Sequence, residues 1–280
     1  MPADRKPETK PRGRPKSQFK ESSAGSLQSL DRALMLLSTV ARRTSATLSD
    51  LARETDIPTA TTHRILTTLQ NSRYTVFDEE RQEWRIGIEA YRTGLSFLAR
   101  TSVAEVGRPV MRRLMQETGE TANLAVADMT GSGAEVVFIG QVETPNPIRA
   151  FFPPGTRTSM HASGTGKAIL AALSPEARAR TFARLTFEAY TGSTLATPDL
   201  LTGDLEKIAA RGWSHDREER HPGMSCIGAA IYDEQGHPCA GISVSGPTAR
   251  FAPDRAWSLG ATVVEAAREI TENSGGRWPS

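Results

Sequence analysis

The stretch from Thr47 to Gly87 constrains this chain most, because it orders a short helix, a tight connection, a second helix and a hairpin within about forty residues. Thr47 or Ser49 can cap the first helix, whose Leu48, Leu51 and Ala52 face inward. Asp56-Ile57-Pro58 forms the connection, since proline disfavours a helical residue before it. A second helix is predicted from about Thr59 to Asn71. Thr62, Ile65, Leu66 and Leu69 form its inward face, and Ala60, Thr61, His63, Arg64, Thr67 and Thr68 its outward face. Arg73–Phe77 and Glu83–Gly87 alternate like strands around a polar tip at Asp78–Gln82. That order is a helix-turn-helix completed by a wing. Small residues at the start of the second helix let it approach base edges, while His63 and Arg64 can donate to guanine or phosphate.

Upstream, Leu27, Leu30, Leu34, Leu37 and Val40 recur at helical spacing and open the folded part. Residues 1–25 are rich in Pro, Lys, Arg, Ser and Gly, lack an apolar period and are predicted to be a disordered tail. Within the tail, Pro11-Arg12-Gly13-Arg14-Pro15-Lys16 resembles an AT-hook core, with Arg12 and Arg14 suited to a narrow minor groove. A plain solvated basic tail is the other reading. Charge is uneven: residues 1–100 hold 17 Lys+Arg against 12 Asp+Glu, and the remainder 17 against 20. A basic first third on a mildly acidic body suits a nucleic-acid-binding head.

The remainder mixes strands and helices, as an α/β sensor domain does. Strands are predicted at Ala122–Asp128, Glu135–Val142, Ile148–Phe152, Ser225–Tyr232 and Ala240–Ser245. Helices are predicted near Gly166–Ala172, Pro175–Phe182, Pro198–Arg211 and Pro253–Thr271. The domain expectation is a tail over 1–25, a winged helix-turn-helix over 26–88, a linker helix over 89–104 and an effector domain over 105–274. Two cysteines, Cys226 and Cys239, are too few for a disulfide scaffold. No signal peptide and no run near the ~18 apolar residues of a membrane span is visible. A cytoplasmic protein with no membrane partner is expected.

Chemistry-bearing motifs were weighed one by one. Ser163-Gly164-Thr165-Gly166-Lys167 is not a phosphate-binding Walker loop, because His161 and Ala168 stand where glycine and a hydroxyl are needed. As a helix N-terminus it offers amides to a carboxylate; a tight turn before a packed helix is the plainer alternative. Ser243 and Ser245 share one strand face. Gly223-Met224-Ser225 and Gly241-Ile242-Ser243 begin like nucleophile elbows, but Ile227 and Ser245 occupy the second glycine positions, so no enzyme is expected. His161, His215, His221, His237, Cys226 and Cys239 follow no metal-ligand spacing, and neither metal nor cofactor is expected.

Several ordered pieces together resemble the IclR family of bacterial transcriptional regulators. They include Ser29-Leu30-Asp31-Arg32-Ala33-Leu34, Thr61-Thr62-His63-Arg64-Ile65-Leu66, Trp84-Arg85-Ile86-Gly87 and His161-Ala162-Ser163-Gly164-Thr165-Gly166-Lys167-Ala168. Asp216-Arg217-Glu218-Glu219, Gly223–Ala229 and Ser243-Val244-Ser245-Gly246-Pro247 continue the series. The resemblance implies an α+β two-domain protein: a winged helix-turn-helix head, a GAF-like α/β effector domain, and dimers that pair into tetramers. It implies operator DNA as partner, met by Thr59, Ala60, Thr61, His63 and Arg64 with Arg81 and Arg85 from the wing. It also implies a small effector, read as a carboxylate, at Ser163, Gly164, Thr165, Asp216, Cys226, Ser243 and Ser245. Thr59 and Ala60 replace the family's frequent Lys and Ser, and Thr62 a usual aliphatic residue, so no operator sequence carries over.

Overall fold

The computed structural model describes residues 27–98, 103–129 and 133–279. The AT-hook-like Arg12 and Arg14 lie outside the described residues. The chain divides into two compact units, 1–96 and 97–280.

In the first unit, α1 (Gln28–Arg43) leads through the short strand β1 (Ala46–Thr47) to α2 (Leu48–Thr55) and α3 (Thr59–Asn71). Strands β2 (Thr75–Asp78) and β3 (Glu83–Ile86) follow, and α4 (Ile88–Leu98) runs out of the unit. Thr47 is the cap of α2, its hydroxyl accepting from the Asp50 amide at 3.2 Å. Asp56 ends α2 in a left-handed conformation, and Pro58 opens α3. Leu36, Val40, Leu51, Ile57, Leu66 and Trp84 form the core. The pairing order β1-β3-β2 makes the wing a three-stranded antiparallel sheet, with Ala46 opposite Trp84. The apolar period of α1 divides: Val40 is buried, whereas Leu27, Leu30 and Leu34 are exposed, and Leu36 and Thr39 supply the packing face.

The second unit opens with α5 (Val103–Thr118) and carries a six-stranded antiparallel sheet in the order β6-β5-β4-β9-β8-β7. Its strands are β4 (Thr121–Asp128), β5 (Glu135–Val142), β6 (Arg157–Ser159), β7 (Ser214–Arg217), β8 (Met224–Tyr232) and β9 (Pro238–Pro247). Its remaining helices are α6 (Gly164–Ala172), α7 (Pro175–Phe182), α8 (Pro198–Arg211) and α9 (Pro253–Asn273). Alternation along the strands sorts the side chains. Leu124, Ile227, Ile242 and Val244 turn to a core with α5 and α9, while Ala125 and Phe138 turn to a second core with α6 and α8. Two sequence expectations fail. Ile148–Phe152 is not a strand; the sheet edge is β6, a few residues later, and the apolar Ile148 and Phe151 stand exposed on a loop. Ser214–Arg217 is a strand that its polar sequence concealed.

The sheet brings the first turn of α6 almost into backbone contact with β8. A methyl group at Gly228 would stand 2.8 Å from the Gly164 carbonyl carbon and 2.9 Å from the Thr165 nitrogen, so only glycine fits without moving the helix. We expect Gly228→Ala to cost about 1–3 kcal/mol through overpacking, read as a lower urea midpoint. An unchanged midpoint would show that α6 can lift off without loss.

Candidate functional site: a cavity in the body and the outer face of the head

One row across three strands of the sheet brings several of the body's predicted residues together. Asp216 on β7 faces Cys226 on β8, and Cys226 faces Ser245 on β9. Beside this row runs α6, capped by Ser163, whose hydroxyl accepts from the Gly166 amide at 3.0 Å. The Gly164 and Thr165 amides have no acceptor within their own helix. Ser163, Gly164, Thr165, Asp216, Cys226 and Ser245 all line one cavity, about 430 Å³ including its mouth. Ser243 does not. It stands opposite Gly228 and Asn123, one row along, fully buried beneath the α6 backbone.

The cavity has parts that the sequence did not disclose. Phe138 and Phe152 stack at 5.1 Å and form an apolar wall, with His221 tilted against Phe152 at 6.2 Å. Arg220 also lines the space, its guanidinium lying 3.6 Å over the Tyr190 ring. One of its terminal nitrogens is buried without a protein acceptor. Arg220 directly follows the Asp216–Glu219 motif, but it sits in a loop, where no periodicity marks it.

Behind the cavity, Lys167 is fully buried and donates to Asp204 at 2.7 Å, Glu219 at 2.6 Å and the His215 carbonyl at 2.8 Å. All three of its protons are used, so it is a structural cation and not a ligand for anything in the cavity. Asp216 accepts from the Glu219 amide at 2.8 Å. Its burial, and then the neighbouring Glu219 carboxylate, raise its pKa to about 7 against the pull of Lys167. Burial, followed by the nearness of Asp216, pushes the Cys226 thiol up to about 11, so it stays a neutral thiol. His161 is satisfied by Ser159 at 2.6 Å and the Glu188 carbonyl at 3.0 Å. Among the described residues no three His, Cys, Asp or Glu side chains gather as metal ligands.

On the head, Thr59, Ala60, His63 and Arg64 are exposed and Thr61 is half-buried, so α3 presents the small, polar, basic face that the sequence predicts. Thr62 is buried and its hydroxyl donates to the Ile57 carbonyl at 3.2 Å, which explains how threonine replaces an aliphatic residue there. His63 stands edge-on to Trp84, 6.4 Å between ring centres. Arg81 is exposed at the wing tip. Arg85 is instead held by Asp78 at 2.6 Å, bracing the two wing strands.

A winged helix-turn-helix joined in one chain to an α/β body defines a DNA-binding transcriptional regulator. The chain matches the IclR helix-turn-helix domain over residues 29–79 and the bacterial transcriptional regulator IclR C-terminal domain over residues 95–272. It is 44% identical over 262 residues to the HTH-type transcriptional regulator BhcR of Paracoccus denitrificans, covering 94% of this chain and 92% of that one. It is 41% identical over 266 residues to the transcriptional repressor IclR of Escherichia coli, covering 95% and 96%. An IclR homologue from Microbacterium hydrocarbonoxydans, solved with 4-hydroxybenzoate, shares the fold with a TM-score of 0.75 at 23% identity, covering 88% of this chain and 98% of that one. This chain belongs to the IclR family of transcriptional regulators; its relatives are regulators, not enzymes. Among the described residues no helix is long and apolar enough to cross a membrane.

The raised pKa of Asp216 has a signed consequence. Between the ordinary carboxylate range and about pH 7, the folded protein keeps a proton that the unfolded chain has released. Stability therefore falls as pH rises through that window and is level above it. We expect Asp216→Asn to gain in melting temperature relative to the parent between pH 5 and pH 8. The gain is on the order of a few kcal/mol at most. A constant difference across that range would contradict the assignment.

Proposed function

We infer that this chain binds an operator through α3 and the wing, and that a small carboxylate held in the body cavity modulates its affinity for that operator. The observation that carries the reading is Arg220: a buried guanidinium N–H without a protein acceptor, lining a cavity beside the first amides of α6. An unsatisfied buried donor costs more than a made hydrogen bond gains, so the cavity favours a ligand that brings an acceptor. The Gly164 and Thr165 amides add the positive end of a helix. Ser163, Ser245, Cys226 and a protonated Asp216 can complete the contacts. The Phe138–Phe152 wall offers an apolar surface to the ligand.

On DNA, Thr59, Ala60, Thr61, His63 and Arg64 meet the major groove, and Arg81 meets a phosphate. Arg85 serves by bracing the wing unless DNA displaces Asp78. Arg12 and Arg14 of the tail, acting as an AT-hook, add minor-groove affinity that falls with salt. Leu27, Leu30 and Leu34 repeat along one exposed side of α1, and a second copy covering them forms the dimer that a two-fold operator needs. The ligand shifts operator affinity only by the difference in its affinity for the two states of the protein.

Fluorescence anisotropy with the protein's own upstream DNA tests both halves, with acetate, 4-hydroxybenzoate and other small carboxylates as probes. Arg64→Ala is expected to lower operator affinity by about tenfold, the worth of one good base contact. Arg220→Gln is expected to leave ligand-free operator binding unchanged and to raise the carboxylate concentration needed for the response by about tenfold or more. A carboxylate response unaltered in Arg220→Gln would move the anion elsewhere, and operator affinity unaltered in Arg64→Ala would remove α3 from the interface.

A further inference from the structure

A second concavity lies on the opposite face of β7 from the cavity described above. Asp216 and His215 are consecutive, so their side chains leave the strand on opposite sides. His215, Arg217, Ser225, Thr248, Phe251 and Pro253, at the start of α9, line an open groove of about 420 Å³. His215 is only 6% exposed and Phe251 only 4%, so a buried imidazole and a buried ring form its floor.

The chemistry of this floor is fixed by one hydrogen bond. The Nε–H of Arg217 donates to Nδ1 of His215 at 3.0 Å. A guanidinium has no acceptor to offer, so Nδ1 must carry the lone pair. Burial, and then the positive charges of Arg217, Lys167 and Arg211, hold the imidazole pKa down at about 3, so the ring is neutral. The proton of a neutral ring whose Nδ1 is an acceptor sits on Nε2. That Nε2–H is buried and has no protein acceptor. The Arg217 guanidinium lines the same groove, as do the Ser225 and Thr248 hydroxyls, which hydrogen-bond each other at 3.1 Å. The 21-residue helix α9 adds its positive end, since its cap, Ala252, has no side chain to satisfy the first amides. Glu218 is the one carboxylate lining the groove, and it opposes the others.

We propose that this groove is a second ligand site, distinct from the effector cavity, which takes the oxyanion of a small phosphate or carboxylate between Arg217, the His215 Nε2–H and the start of α9. An acceptor ligand is selected, because the buried His215 Nε2–H lacks an acceptor and the Arg217 guanidinium can only donate, while the hydroxyls can do either. A cation is not, because His215 cannot turn its lone pair outward without losing Arg217.

The test is the imidazole 1H–15N spectrum of the full-length protein, titrated separately with inorganic phosphate and with acetate at constant ionic strength. The His215 Nε2 resonance is expected to shift saturably with at least one of them. Saturation by phosphate alone identifies a phosphate-bearing ligand, and saturation by acetate identifies a carboxylate. Arg217 is exposed, so Arg217→Gln folds, and it should weaken the saturation about tenfold. Glu218→Gln should tighten it about twofold by removing the opposing charge. Arg220→Gln, in the other cavity, should leave it unchanged, so this result stands whether or not the effector reading holds. No saturable shift with either anion, or a shift that saturates as tightly in Arg217→Gln as in the parent, would overturn the proposal. So would a shift abolished by Arg220→Gln and untouched by Arg217→Gln.

Discussion

The body of this regulator is organised around the buried ammonium of Lys167. It leaves α6 pointing away from water and finds all its acceptors inside the protein: Asp204 from α8, Glu219 from the turn after β7, and the carbonyl of His215 within β7. A buried cation costs several kcal/mol to desolvate, and it is tolerated only where geometry and hydrogen bonds are complete. Here they are, and the consequence is positional. One side chain fixes the helix that contributes Ser163, Gly164 and Thr165, the strand that carries Asp216, and the turn that carries Arg220. Two carboxylates around one ammonium also leave a local excess of negative charge, which is one reason why the Asp216 carboxyl beside them holds its proton to about pH 7.

The sheet explains how so much polarity survives inside a core. On its α5–α9 face the strands supply Leu124, Ile227, Ile242 and Val244. On the other face the same strands bury a chain of polar groups, with Gln141 donating to Asn123 at 3.0 Å and Asn123 donating to Ser245 at 3.2 Å. Each buried group that is paired in this way avoids the penalty of lost hydration. Among the described residues six buried side-chain groups are left without a partner, and three of them line the two concavities: Arg220 and the Thr165 hydroxyl at one, His215 at the other; those on Arg178, Glu219 and Ser243 do not.

The head was legible in the sequence because its signals are local. A capping threonine, a proline-set connection and a 3.6-residue period fix α2 and α3 without reference to distant residues. The sense of α1 was less legible, since Leu27, Leu30 and Leu34 follow the same period as a core face and yet lie on the surface. In the body, the apolar strands β4, β5, β8 and β9 and the proline-started helices declared themselves. The edge strand β7 did not, because Ser214, His215, Asp216 and Arg217 carry no apolar alternation; the burial of the first three depends on α6 and Phe251 arriving from elsewhere. Ile148–Phe152 reads as a strand by composition, but Phe152 is drawn into the cavity wall by Phe138. Arg220 was missed for the same reason: its position depends on Tyr190, thirty residues away, and no pattern near Arg220 records it. Arg85 read as a DNA contact by charge, and its ion pair with Asp78 arises only once the wing strands pair.

Lys167 holds the cavity of the body together. Urea denaturation of Lys167→Met, monitored beside the parent, tests it most directly. Removing the ammonium strands the buried Glu219 carboxylate and the half-buried Asp204 carboxylate, and a loss of about 3–5 kcal/mol is predicted, larger at pH 8 than at pH 5 because protonation of Glu219 and Asp216 relieves the repulsion at low pH. A loss below about 1 kcal/mol, or one that does not grow with pH, would contradict the account and show that α6, β7 and the turn bearing Arg220 are held by apolar packing alone.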